Sequence, residues 1–319
     1  MPRILFVKTS SLGDVVHNCP AVSDVARCVP QASIDWVVEE AFAEVAALHA
    51  GVRRVIPVAV RRWRSALFSA ATRSEARAFR HALRQERYDC VIDSQGLLKS
   101  ALVAALALGP KNGFDRASAR ESLAAVFYDA RHAVPLGLHA VERNRRLAAA
   151  ALGYALPGAC DYGLRISGEV PMPVRSPFAV LLTMSSRVDK LWPEEHWIAL
   201  GRALAADGME SVLPWGTDAE RARCERIARG IGDARVPQRM PLSALAQLTR
   251  HARCVAGVDT GLSHLAAAAG VPVAGIYCGS DPSLTGLYAS ARATNLGAAG
   301  ASPAPEQVLG ALRALMAGA

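Results

Sequence analysis

The sequence predicts an α/β fold made of two Rossmann-like parallel-sheet domains in tandem. Three observations carry that prediction. Short β-like runs alternate with helical ones, the order that gives parallel strands with crossover helices. The alternation lapses once, over residues 154–177 (YALPGACDYGLRISGEVPMPVRSP), and then restarts. The chain has 319 residues, 51% of them hydrophobic, enough to bury a large core and more comfortable as two domains than as one.

The elements follow in order. RILFV is the first strand, and its helix is expected from about Pro20, because proline suits a first helical turn and disrupts later ones. IDWVV leads to FAEVAALH, RRVIPVAV to a basic segment and a helix over 74–86, and YDCVIDSQ to LLKSALVAALAL. After the lapse come FAVLLTM with a helix from Pro193, MESVLPWG with a helix over 218–229, and a short strand near Arg235 with a helix over 242–250. RCVAGVD with a helix from Gly261, and then VPVAGIYC, complete the pattern. The expected boundaries are a first domain over 1–155, a linker over 156–177 and a second domain over 178–319, with the final run PEQVLGALRALMA as a helix able to pack back across the junction. Ligands in open α/β sheets bind at the carboxyl ends of the strands, so a cleft between two such domains is the natural place for a two-substrate site.

A formal charge of +8 implies an anionic partner: nucleic acid, phospholipid headgroups or a phosphorylated small molecule. Seven scattered cysteines without a C-x-x-C pair suggest neither a disulfide framework nor a zinc site, and read as thiols in a reducing compartment. Arg3 and Lys8 leave no room for a signal-peptide apolar region, so a cytoplasmic chain is expected. The charge-free stretch from Thr260 to Ser280 holds His264 and Pro272 and reads as a helix and a buried strand, not a membrane span.

Five constellations carry chemistry. KTSSLGDVVHN (8–18) follows the first strand but lacks G-x-G-x-x-G, which disfavours NAD or FAD. It offers Ser10, Ser11 and Gly13 beside Asp14, a residue that suits a helix N-cap or a general base over an acceptor hydroxyl. GVDTGLSHL ends a strand at Asp259 and opens a helix, so the N–H groups of Thr260, Gly261 and Leu262 form a ready phosphate site with His264 on the first turn. TMSSRVDKLWPEEHW supplies Ser185, Ser186 and Lys190, two hydroxyls and a point charge suited to a departing diphosphate. PWGTDAERARCERIA carries Glu220, a candidate for a ribose diol or a dipole-complementing first-turn acid. VAVRRWRSALFS clusters Arg61, Arg62 and Arg64, with Lys99, Arg116 and Arg120 later in the same half, and suits phosphates, carboxylates or a membrane surface.

Taken with DWVVEEAFAEV, YDCVIDSQGLLKSAL, HAVERNRRL and LPWGTDAERAR, these blocks run in order along nearly the whole chain, and together the sequence resembles the lipopolysaccharide heptosyltransferase I family. That resemblance implies a GT-B fold with the two domains facing a central cleft. It implies inverting, metal-independent transfer of L-glycero-D-manno-heptose from ADP-heptose, a substrate and not a cofactor, to the first Kdo of Kdo2-lipid A. The work would be done peripherally, on the cytoplasmic face of the inner membrane. By the same resemblance Asp14 is the catalytic base. Ser185, Ser186, Lys190, Glu220, Met240, Asp259, Thr260, Gly261 and His264 meet the donor, while Ser10, Ser11, Gly13, Arg61, Arg62, Arg64 and Arg120 meet the acceptor. Val188 stands where the family commonly has an acid and Leu191 where it has a polar residue, so position 188 receives no role. The rival readings are heptosyltransferase II or another GT-B transferase of ADP-sugars. A nucleic-acid binder is disfavoured by 6% aromatic content and the lack of RNA-binding motifs.

Overall fold

A computed structural model describes residues 1–66 and 68–318. The chain divides into two compact units, Met1–Arg165 and Ile166–Ala319. Six-stranded parallel sheets underlie both.

The first unit contains β1 (Arg3–Val7), α1 (Leu12–Cys28), β2 (Ser33–Glu39), α2 (Ala43–Ala47), β3 (Val52–Val58), α3 (Val60–Trp63), α4 (Ala70–Leu83), β4 (Cys90–Asp93), α5 (Leu98–Leu106), β5 (Lys111–Phe114), β6 (Ala130–His132) and α6 (Ala140–Leu152). Its strands lie in the order β3-β2-β1-β4-β5-β6. Leu5, Val7, Val37 and Val91 on the central strands pack with Phe79 and Leu83 of α4 and Val103 of α5, so the polar turns that follow β1 and β4 emerge from a rigid apolar base.

The first helix departs from expectation. Pro20 does not open α1 but lies inside it. Ser11 is the N-cap, and its N–H donates to the Asp14 carboxylate, which starts the helix well ahead of the proline. Pro20 costs one main-chain bond, and the buried face of Val15, Val16, Cys19, Val22 and Val25 outweighs it. The helix expected over 74–86 also begins earlier, because the Ser69 hydroxyl accepts from the Thr72 N–H as an N-cap.

Strands β5 and β6 and helix α6 have no counterpart among the expected elements. The strands read KNGF and ARH, with no apolar alternation. The buried face of α6 is partly polar: Arg145 Nε donates to Asp24 at 2.7 Å and its Nη2 to the carbonyls of Pro157 and Ala159, which hides the helical stripe from a hydrophobicity reading. Residues 163–165 of the expected linker are held by the first unit, with Ala50 N–H donating to Gly163 and Arg165 N–H to Leu48.

The second unit contains β7 (Phe178–Leu182), α7 (Glu194–Ala206), β8 (Glu210–Val212), α8 (Asp218–Ile231), β9 (Ala234–Arg235), α9 (Leu242–His251), β10 (Cys254–Val258), α10 (Gly261–Ala268), β11 (Val273–Tyr277), α11 (Pro282–Thr285), β12 (Ala293–Gly297) and α12 (Pro305–Ala317). The order is β12-β11-β10-β7-β8-β9, which is the first unit's order when counted from this unit's own first strand. α11 and β12 were not expected, and ATNLG in β12 is only half-buried. Val308 and Leu312 of α12 lie in this unit's core beside Leu200 and Leu204 of α7. The stretch from Thr260 to Ser280 is α10, β11 and their turns, and among the described residues no helix is long and apolar enough to cross a membrane.

Candidate active site

In each sheet the chain reverses its direction of winding between two adjacent central strands, β1 and β4 in the first unit and β7 and β10 in the second. Such switch points leave a crevice at the strands' carboxyl ends. Asp14, Ser10, Ser11 and Gly13 lie at the first and Asp259, Thr260, Gly261 and His264 at the second, with Lys190 joined to Asp259.

At the first switch point α1 presents Asp14 on its opening turn. Its Oδ2 accepts from the Ser11 N–H at 2.9 Å and from Arg120 at 3.4 Å, while Lys8 Nζ lies 4.0 Å from Oδ1. Asp14 is therefore the third helical residue of a capping arrangement and not the N-cap itself. Burial pushes its carboxyl up, but Lys8, Arg120 and the Ser11 N–H outweigh that and hold it below the usual aspartate range. It is a carboxylate at neutral pH, with its side chain 14% exposed.

The loop before it is fixed from β4's end. Gln95 Oε1 accepts from the Thr9 and Ser10 N–H groups at 3.1 and 3.2 Å, and Lys99 donates to the Ser10 hydroxyl at 2.9 Å. Behind Gln95, buried Asp93 accepts from Tyr128 at 2.7 Å, Ser100 at 2.8 Å and the N–H groups of Gln95 and Gly96. Gly96 takes φ +67°, a backbone state open to glycine, which lets the turn fold back onto that carboxylate.

The arginines divide. Arg61 donates its N–H to buried Glu39 at 2.8 Å and lays its guanidinium over Phe42. Arg62 is bound to Glu40 and Glu75 at the surface, and Trp63 also donates to Glu75. Arg64 is exposed, and Arg120 spans to Asp14. Ser11 is exposed and Gly13 half-buried on the same turn.

At the second switch point Asp259 follows β10 directly. Lys190 Nζ donates to its Oδ2 at 2.6 Å, the Ser280 hydroxyl at 2.5 Å, and His264 Nε2 stands 3.6 Å from Oδ1. Burial pushes this carboxyl up, and the bonds from His264, Lys190 and Ser280 overcome it and hold the group far below its ordinary value. Ser185 donates to the Asp259 carbonyl at 3.2 Å, while Ser186 is exposed. Thr260 is the N-cap of α10 and makes no side-chain cap bond, so the N–H groups of Gly261 and Leu262 open the helix where no intrahelical acceptor exists. The Lys190 loop is seated by Trp192, which is fully buried, packs edge-on against Trp197 at 4.9 Å and donates to the Pro303 carbonyl.

Glu220 and Met240 follow β8 and β9, outside the second switch point. Glu220 Oε2 accepts from the N–H groups of Gly216 at 2.7 Å and Thr217 at 3.1 Å, capping α8. Met240 packs partly buried before α9. Val188 is 83% exposed. Among the described residues no group of three or more His, Cys, Asp or Glu is placed to hold a metal ion.

The sequence reading gave no place to Lys8, Asp93, Gln95, Asn144 and Ser280 in the site. The signal available was position: Gln95 and Ser280 both lie just past the carboxyl end of a strand.

The doubly wound sheet of each unit and the open N–H groups at the start of α10 are features of a nucleotide-binding class of α/β enzyme. The sequence profile of glycosyltransferase family 9 (heptosyltransferase) matches residues 76–311, and the chain belongs to that family. It is an enzyme, a glycosyltransferase of the GT-B fold. Lipopolysaccharide heptosyltransferase 1 of Escherichia coli K12 is 47% identical over 289 residues, 90% of this chain and 91% of that one. The heptosyltransferase 1 of Pseudomonas aeruginosa PAO1 is 46% identical over 288 residues, 90% of this chain and 81% of its own. Among solved structures, E. coli heptosyltransferase WaaC with ADP superposes with a TM-score of 0.91 at 42% identity, over 98% of this chain and 99% of that one. WaaC with ADP-2-deoxy-2-fluoro heptose gives 0.85 at 41%, covering 99% of each. E. coli heptosyltransferase II shares the fold, with a TM-score of 0.79 at 22% identity over 99% of each chain.

Proposed function

We propose that the chain transfers L-glycero-D-manno-heptose from ADP-heptose to the first Kdo of Kdo2-lipid A, inverting the anomeric centre in one displacement without a metal. The observation that carries the reading is Asp14, an unprotonated carboxylate presented at a switch point beside cations suited to an anionic acceptor. It is supported by relatives named lipopolysaccharide heptosyltransferase 1 and by a related structure holding a fluorinated ADP-heptose.

In this reading the first unit binds the acceptor and the second the donor. Asp14 accepts the proton of the Kdo hydroxyl as its oxygen attacks the anomeric carbon. The bond from that carbon to the ADP oxygen breaks, and the electron pair leaves with ADP. Lys190 and the opening N–H groups of α10 meet the charge that develops on the diphosphate, which is electrostatic stabilisation of the leaving group. Asp259 holds Lys190 in place. Ser185, Ser186, Thr260, Gly261 and His264 surround the donor's phosphates and sugar, Glu220 and Met240 its nucleoside. Ser10, Ser11, Gly13, Arg61, Arg62, Arg64 and Arg120 receive the acidic acceptor. The net charge of +8 suits peripheral work on the anionic cytoplasmic face of the inner membrane.

The test is an assay of purified protein with ADP-heptose against Kdo2-lipid A and, separately, against its monoheptosylated product, in buffer with and without a chelator. Turnover on Kdo2-lipid A alone, unaffected by chelation, with an inverted linkage by NMR, is the expected result. Turnover confined to the monoheptosylated acceptor would overturn it.

A further inference from the structure

Lys8 is a buried ammonium that the reaction scheme above leaves unused. It follows β1 directly, and its side chain is 5% exposed. A buried cation is costly unless paired, and a hydrocarbon of the same length would fill the space more cheaply. Three elements hold it instead. Its Nζ donates to the Ser94 carbonyl past β4 at 2.8 Å and to Asn144 Oδ1 of α6 at 3.3 Å, and it stands 4.0 Å from Asp14 Oδ1 of α1. The Asn144 amide in turn donates to the His17 carbonyl at 3.0 Å, which fixes the end of the amide that faces Lys8.

The other cation on Asp14 differs in kind. Arg120 is 42% exposed, and the proposed function assigns it to the acceptor. When it turns to an acidic group, Asp14 keeps one close cation that cannot follow.

We propose that Lys8 is a positioning residue for Asp14: anchored by Ser94 and Asn144, it supplies the fixed positive charge that holds the carboxylate in place when Arg120 engages the acceptor. The inference rests on Asp14 serving as the base. The charges around the pair are Asp14 and Asp93, which favour the ammonium, and Arg120 and Arg143, which oppose it, with Lys99 also within reach of Asp14. Burial, the largest influence, lowers the Lys8 ammonium to about 8, so it is charged at neutral pH.

The experiment compares Lys8→Met and Asn144→Ala with the parent by the pH dependence of kcat/KM for the acceptor, alongside ADP affinity. In Lys8→Met the acid limb moves upward by about one pH unit, roughly a fivefold loss of rate at the parent's acid midpoint, while ADP affinity stays within about twofold. Asn144→Ala, which keeps the charge and loosens it, shifts the limb the same way by less, and carries the test if Lys8→Met does not fold. A carboxyl carbon-13 titration of Asp14, assigned by its loss in Asp14→Asn, reads the same midpoint without turnover. A rate loss with an unmoved acid limb in both variants would mean a merely structural lysine and overturn the proposal. If Asp14→Asn itself retains turnover, the base assignment fails and the lysine's role falls with it. If Asp14→Asn is inactive while the limb stays put, only the lysine's role is lost.

Discussion

The two units repeat one strand order, and each places an aspartate at its switch point, yet the two carboxylates are held in different ways. Asp14 rides the first turn of a helix, anchored by one N–H and faced by cations at 3.3 to 4.0 Å. Asp259 sits at a strand end and is occupied on both oxygens, by Lys190 and Ser280 at 2.6 and 2.5 Å and by His264 at 3.6 Å. A carboxylate with one exposed, movable cation and one fixed one suits taking a proton from an entering hydroxyl. One tied by short bonds instead fixes the direction of the lysine it holds. The same topological place therefore yields the proposed base in one half and a scaffold for a cation in the other.

The largest effect should separate the two aspartates directly. Asp14→Asn is expected to lower kcat by about a hundredfold or more while leaving ADP affinity unchanged. Asp259→Asn should instead weaken donor binding, with the larger change in donor KM. Equal losses in kcat with unchanged donor KM for both would break the comparison.

Next in size is Lys190→Met, expected to reduce kcat/KM for ADP-heptose by roughly tenfold or more through lost charge at the leaving diphosphate. Isothermal titration with ADP checks it, and an unaltered affinity and rate would show Lys190 to be only Asp259's partner.

Acid stability sharpens the contrast further. The Asp259 carboxyl is depressed in the folded chain, so its bonds stabilise fully above the ordinary aspartate value of about 3.9 and are lost as pH falls through that value toward the folded one. Denaturant midpoints of the parent and Asp259→Asn should differ at pH 7 and converge as the buffer is taken below pH 4.

The smallest effects concern the arginines. Arg120→Gln should raise the acceptor KM several-fold, and Arg62→Gln should raise it by less, because Arg62 must leave Glu40 and Glu75 to meet the acceptor. Steady-state kinetics with varied acceptor decides between them.

Much of the site was legible because strand ends followed by polar turns announce themselves. RILFV before KTSSLGD, and RCVAGVD before TGLSHL, placed Asp14 and Asp259 at the mouths of their sheets. Helix boundaries were less legible where two signals competed. Pro20 outweighed the Ser11 and Asp14 pairing in the reading, although in the fold the pairing starts the helix and burial tolerates the proline. Lys8 read as an N-terminal charge, and its partners Ser94 and Asn144 lie 86 and 136 residues away, beyond any local pattern.

By itself the sequence determined the alternation of strands and helices, the two-part organisation and the residue types at each strand end, because these follow from periodicity and turn chemistry over a few neighbours. Only the tertiary structure decided which of those residues meet. It set Lys8 under Asp14, gave both oxygens of Asp259 to Lys190, Ser280 and His264, and let Arg145 enter a core through Asp24. Burial makes such polar groups costly unless they are paired, and the partners that pair them come from distant segments brought together by the sheet order.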